Sequence, residues 1–184
     1  MQTGFELPKD LPVPTDDGGA AHLEGAALPA VSLPSTGGRT VDLTALRGTV
    51  VLYCYPLTGA PGKELPAGWN EIPGARGCTP QSCAFRDHHA ELAALQAQVF
   101  GISTQGTDYQ REAAQRLHLP FELLSDEKLE FAQALRMPGF DVEGRRLLKR
   151  VTLIVREGRI AKVFYPIFPP DRNAGDVLAW LREH

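Results

Sequence analysis

The sequence predicts an α/β sandwich built on a mixed sheet. Three observations carry that reading. Short apolar, β-branched runs alternate with stretches of helical periodicity from Thr49 onward. Two further strand-like runs flank the turn "REGR" near the C-terminus, which reads as a hairpin. A helical segment closes the chain. Strand–helix alternation gives parallel pairing and the hairpin adds antiparallel strands, hence a mixed sheet with helices on its faces.

The elements follow in order. "TVVLYCY" (49–55) is a buried strand, and the segment from Pro80, with Phe85, Leu92 and Leu95 at helical spacing, is a helix. "QVFGIS" (98–103) is a second buried strand and the segment from Thr107 a second helix. "FELLSD" (121–126) is a short strand and the stretch from Glu127 a third helix. "LLKRVTLIV" (147–155) and "IAKVFY" (160–165) form the hairpin. The last helix starts at Asn173, whose side chain is suited to cap it.

A chain of 184 residues is long enough for one domain with a real core and hardly enough for two. Apolar residues at 43% and charged residues at 22% describe an ordinary globular protein. A formal net charge of −3 gives no electrostatic case for nucleic acid or an anionic membrane as partner. No apolar run approaches the roughly 18 residues needed to cross a bilayer. Residues 1–38 contain five Pro and six Gly, so residues 1–30 are expected as an extended, unpacked arm ahead of a domain over 31–184. A second Gly/Pro-rich stretch, 56–80, holds five of each and interrupts the periodic region. With no secretory signal visible, a reducing cytoplasm is the expected compartment, where cysteines tend to be buried, metal-bound or catalytic.

The segment "IPGARGCTPQSCAFRD" (72–87) carries the chemistry. Thr79 is a good N-cap and Pro80 a good first helical residue, so Cys78 sits at the mouth of a helix. There the unpaired N–H groups and the positive end of the helix dipole favour a thiolate, and Arg76 lies two residues away. The plain alternative is a small residue in a tight entry turn. Cys83 stands five residues on, in the same helix. Helical geometry puts two such Cα atoms roughly 8.7 Å apart. A disulfide tolerates about 7 Å, so bonding this pair requires the first turn to unwind. Cys54 lies mid-strand and reads as core. Zinc is disfavoured, because Cys78, Cys83 and His88 do not share a helical face and no C-x₂-C framework exists. His88 and His89 read as ordinary helix residues. A thioredoxin-type C-x-x-C is absent as well.

"VVLYCYP … GCTPQSCAFRD", with "LLKRVTLIVREGRI" downstream, resembles the peroxiredoxins, in particular the bacterioferritin-comigratory or Q-type group. The resemblance runs from about Val31 to the end of the chain. It implies a thioredoxin-like fold, with Cys78 as the peroxidatic cysteine and Cys83 as the resolving one. Arg150 would be the arginine that binds and polarises the peroxide, and Pro56 the motif proline. In the strand, Arg150 and Lys149 project from faces that are mainly apolar, so at least one charge needs a partner. The pattern departs from the family at one point. Pro56 and Cys78 are 22 positions apart (78 − 56), about 15 more than the family spacing, which makes 57–76 an inserted loop. It reads as a surface excursion or as a lid over the pocket. The family's threonine is missing, and Thr58 is the best substitute for its hydroxyl, with Thr79 second because capping would occupy it.

The expected function is therefore a thiol peroxidase acting on hydrogen peroxide and organic hydroperoxides. Cys78 passes through a sulfenic acid, Cys83 closes an intramolecular disulfide, and a thioredoxin-like dithiol protein reduces it. No metal, haem, flavin or nucleotide cofactor is expected, nor a nucleic-acid or membrane partner, and a monomer is the expected state. A protein disulfide oxidoreductase and a non-enzymatic redox switch are the rival readings.

Overall fold

A computed structural model of the chain describes residues 6–184. Its centre is β3 (Thr49–Cys54), which pairs in parallel with β4 (Ala97–Ser103) on one side, as β4 does with β5 (Glu122–Ser125). On its other side β3 pairs antiparallel with β8 (Val151–Arg156), which turns back into β9 (Arg159–Phe164). The resulting five-stranded mixed sheet has the order β5-β4-β3-β8-β9. Two small hairpins lie outside it: β1 (Ser32–Pro34) with β2 (Thr40–Asp42), and β6 (Gly139–Val142) with β7 (Arg145–Leu148).

Period-two alternation along β3 divides the core. Val50, Leu52 and Cys54 enter one apolar layer, while Val51, Tyr53 and the following Tyr55 enter the other. The second layer also holds Phe85 of α1 (Cys78–Asp87), Leu92 of α2 (His89–Ala94) and Val177, Leu178 and Leu181 of α5 (Asn173–Glu183). Phe131 of α4 (Glu130–Ala134) packs into the first layer. α3 (Thr107–Arg116) lies against β5 and buries Ala113.

Four sequence expectations are corrected. The N-terminal segment is packed in part: Ala20, Leu23 and Leu28 are buried in the first layer, and Ala27 bridges to Arg159. Its few apolar side chains complete the core between prolines. Residues 1–5 of that arm lie outside the described residues. The strand expected over 147–155 is broken into β7 and β8, with Lys149 and Arg150 between them. Two adjacent charges could not both stay within apolar sheet faces. The break lets Lys149 Nζ reach Asp17 (2.7 Å) while Arg150 turns inward. The helix expected from Glu127 begins at Glu130, because Leu129 is left-handed (φ 61°) and the Asp126 carboxylate accepts the Phe131 and Ala132 N–H groups. The long helix expected from Pro80 divides at His88 into α1 and α2.

Candidate active site

α1 begins at Cys78 itself. Its N-cap is Gly77 at φ 115°, and no side chain caps it, so Thr79 is not the cap. Glycine is required at 77: the backbone is left-handed and a Cβ there would collide with Pro170. The Cys78 side chain is buried, and N–H donors converge on its sulfur. Leu57 N–H donates to Sγ at 3.4 Å, and so does Arg150 Nη2 at 3.4 Å. Both compensate negative charge on the sulfur. The structure thus brings Cys78 and Arg150 into contact, with the chain just after Pro56 supplying the second donor.

Arg150 is 3% exposed, and among the described residues no carboxylate lies within ion-pair distance of it. Its Nη2 donates to the carbonyls of Gly74 (3.3 Å), Ala75 (3.2 Å) and Arg76 (3.4 Å), and its Nη1 to Gln81 Oε1. The guanidinium is therefore held by dipoles and by one sulfur. Gln81 is fixed in turn: its Nε2 donates to Asn173 Oδ1 (3.0 Å), which also accepts the Thr152 hydroxyl (2.7 Å). This buried chain Arg150–Gln81–Asn173–Thr152 ties α1, β8 and α5 together. The sequence reading missed Gln81 and Thr152 and took Asn173 for a cap. Asn173 caps nothing by its side chain; α5 is preceded by Arg172. The available signal was a glutamine on the buried side of a helix three residues past the reactive cysteine.

The Thr58 side chain is engaged by Gln105. Its hydroxyl donates to Gln105 Oε1 (3.1 Å), and Gln105 Nε2 donates back to the Thr58 carbonyl (3.2 Å). That clamp closes the base of the inserted segment and spends the one O–H that a substrate would need. Thr79, freed from capping, lines the same cavity as Cys78, and Thr58 does not.

Cys83 is half-buried in α1, and burial pushes its thiol above the ordinary range. Cys54, fully buried in the layer on the opposite side of the sheet from Cys78, is pushed up strongly by desolvation. All three cysteines are free. Among the described residues no group of three or more His, Cys, Asp or Glu side chains is placed to hold a metal ion.

The redoxin family matches residues 23–178, most of the chain and the whole of this site. The chain belongs to the redoxin family. Within it, the chain is similar to proteins of the peroxiredoxin Q type. It is 30% identical to the chloroplastic peroxiredoxin Q of Triticum aestivum over 156 residues, 84% of this chain and 64% of the relative. It is 29% identical to that of Oryza sativa subsp. japonica over 160 residues, 86% of this chain and 66% of the relative. It thus spans about two thirds of the length of such relatives. The crystal structure of peroxidoxin BcpB from Mycobacterium tuberculosis superposes with a TM-score of 0.71 at 27% identity, covering 88% of this chain and 98% of that one. A Xanthomonas campestris peroxiredoxin Q structure shares the fold, with a TM-score of 0.67 at 23% identity over 88% of this chain and 96% of that one. The thioredoxin-like, mixed-sheet architecture expected from the resemblance is the one this redoxin has.

Proposed function

We propose that this redoxin is a thiol peroxidase whose peroxidatic group is Cys78. The observation that carries the reading is the buried, carboxylate-free Arg150 guanidinium 3.4 Å from the Cys78 sulfur. A cation taken out of water calls for an anion beside it. The attacking Cys78 thiolate supplies one, and the developing negative charge on peroxide oxygen supplies another in the transition state.

The thiolate attacks one peroxide oxygen, the O–O bond breaks, and the departing oxygen takes up a proton as water or alcohol. Sulfur is oxidised by two electrons to the sulfenic acid. Cys83 then displaces hydroxide from that sulfur, which leaves as water, and the Cys78–Cys83 disulfide forms. A dithiol protein of thioredoxin type returns two electrons by exchange. Burial holds the Cys83 thiol above its ordinary range while α1 is wound, and unwinding α1 relieves that burial for the second step. We assign the enzyme to a reducing compartment such as the cytoplasm, as a monomer; no helix among the described residues is long and apolar enough to cross a membrane.

The test is peroxide consumption with a dithiol reductant. Cys78→Ser should abolish it. Cys83→Ser should complete one oxidation, stall as a sulfenic acid trappable by dimedone, and lose turnover with a protein reductant. Cys54→Ser should keep turnover. Turnover that survives Cys78→Ser would sink the assignment, and thiol exchange without peroxide consumption would make the protein a disulfide oxidoreductase.

A further inference from the structure

Cys78 opens onto a cavity of about 460 Å³. Hydrogen peroxide is scarcely larger than water, which takes roughly 30 Å³. The cavity has the size of a site for an extended organic molecule. Most of its walls come from the inserted segment. Leu57, Leu65 and Trp69 give it apolar surface, and Leu7 closes one side. Trp69 is no surface excursion: it is buried with Leu57 and Ala75 against Val142 and Leu147, so the wall has a small core of its own behind it.

The charged groups of this cavity are mostly cationic. Arg116 is already committed, ion-paired to Glu112 (2.6 Å) and donating to the Gly59 carbonyl (2.9 Å). Lys63 and Arg76 are not. Lys63 Nζ sits over the Tyr109 ring at 5.0 Å, and Arg76 Nη1 donates to the neutral Asn70 Oδ1 at 3.3 Å. Among the described residues neither has a carboxylate within ion-pair distance. Glu6 lines the cavity too, and it offsets one of these charges but not both.

We propose that the inserted segment makes this site selective for hydroperoxides that carry a carboxylate on an apolar chain, with Lys63 and Arg76 receiving the carboxylate. The inference rests on the peroxidase reading of Cys78. An apolar chain against Trp69 and Leu65 buries hydrocarbon, and an anion beside two uncommitted cations gains charge-assisted hydrogen bonds. A hydroperoxide lacking the carboxylate gains only the first. An acidic protein reductant would also seek cations, but these two line the same concave wall as the reactive sulfur, which favours a small molecule that reaches both at once.

The experiment compares kcat/KM for a long-chain fatty-acid hydroperoxide and its methyl ester, at submicellar concentration with dithiothreitol as reductant. It uses the full chain, Lys63→Gln, Arg76→Gln, the double variant and Lys63→Arg. The wild type should prefer the acid by about tenfold to a hundredfold, the range of one or two charge-assisted hydrogen bonds. The double variant should bring the acid-to-ester ratio close to one, and Lys63→Arg should retain the preference. Equal rates for acid and ester in the wild type overturn the inference, as does a ratio that the double variant leaves unmoved. A raised KM for a thioredoxin-type reductant with that ratio unmoved would give the two cations to the reductant instead. Hydrogen peroxide separates the levels of failure. If the wild type consumes it without discriminating acid from ester, only the selectivity falls; if it consumes no peroxide, the reading of Cys78 falls first.

Discussion

The chemistry of this site turns on which hydroxyl is free. Peroxide reduction benefits from a donor that follows negative charge as it moves onto oxygen. Thr58 donates to Gln105, whereas Thr79 lines the cavity of Cys78 and caps nothing. Thr79→Val keeps the shape and removes the donor, so peroxide reactivity should fall by roughly ten- to a thousandfold, with recovery in Thr79→Ser. Thr58→Val should chiefly cost stability, about 1 kcal/mol, because it removes one hydrogen bond to the buried Gln105 Oε1, which still accepts the Thr58 N–H. Stopped-flow oxidation rates and denaturant midpoints measure the two effects separately. A large rate loss in Thr58→Val with Thr79→Val unaffected would return the role to Thr58. The helix start beside Cys78 was legible in the sequence because it marks itself by local residues, although Gly77 rather than Thr79 precedes it. Which threonine faces the cavity was not, since two threonines near one cysteine differ only in what lies across the fold from each.

At the level of elements, the helix and strand runs were readable wherever periodicity is local, as in β3, β4 and α3. The reading failed where long-range partners decide. Lys149 and Arg150 interrupt a strand because Asp17 and the sulfur of Cys78 wait on opposite sides of it. Asp17 shows how the N-terminal arm is held. It accepts from Lys149 Nζ (2.7 Å) and from the Tyr165 hydroxyl (2.6 Å), and these bonds keep its carboxyl well below the usual carboxylate range. A carboxyl depressed in the folded state stabilises above its unfolded pKa near 4 and loses that contribution as pH falls. The arm should therefore loosen below about pH 4, shown by faster limited proteolysis within residues 14–19. Asp17→Asn should show the same loosening at neutral pH. The pair is substantially exposed, so the change in global stability should stay under about 1 kcal/mol. Proteolysis of the arm that is identical in wild type and Asp17→Asn would show that its apolar contacts alone hold it.

The whole molecule bears on catalysis through α1, because closing the disulfide asks the fold for a second conformation. Cys78 and Cys83 lie in one continuous helix, with Cα atoms too far apart to bond at helical geometry. Unwinding the turn between them breaks Gln81 from Asn173 and from Arg150, and Ser82 from the Tyr53 hydroxyl. Phe85, stacked on Tyr53 at 4.5 Å between centroids, is the anchor at which unwinding should stop. The three side-chain links together contribute about 4–5 kcal/mol, the one to Arg150 most because it involves a charge. A disulfide closing so short a loop restrains the unfolded chain by only about 2 kcal/mol. The balance of about 2–3 kcal/mol favours the reduced fold. At 2–4 °C per kcal/mol for a chain of this size, the oxidised protein should melt about 5–10 °C lower. Amide exchange at Ser82–Arg86 should quicken on oxidation and slow again after dithiol reduction. Unwinding would also take Gln81 from Arg150, leaving the carbonyls of Gly74, Ala75 and Arg76 as the acceptors that hold the guanidinium. A melting temperature that rises on oxidation, with unchanged exchange in α1, would mean that Cys78 bonds some partner other than Cys83. Cys54 points to the far side of the sheet and could not be that partner without unfolding β3, so the remaining candidate would be a second molecule.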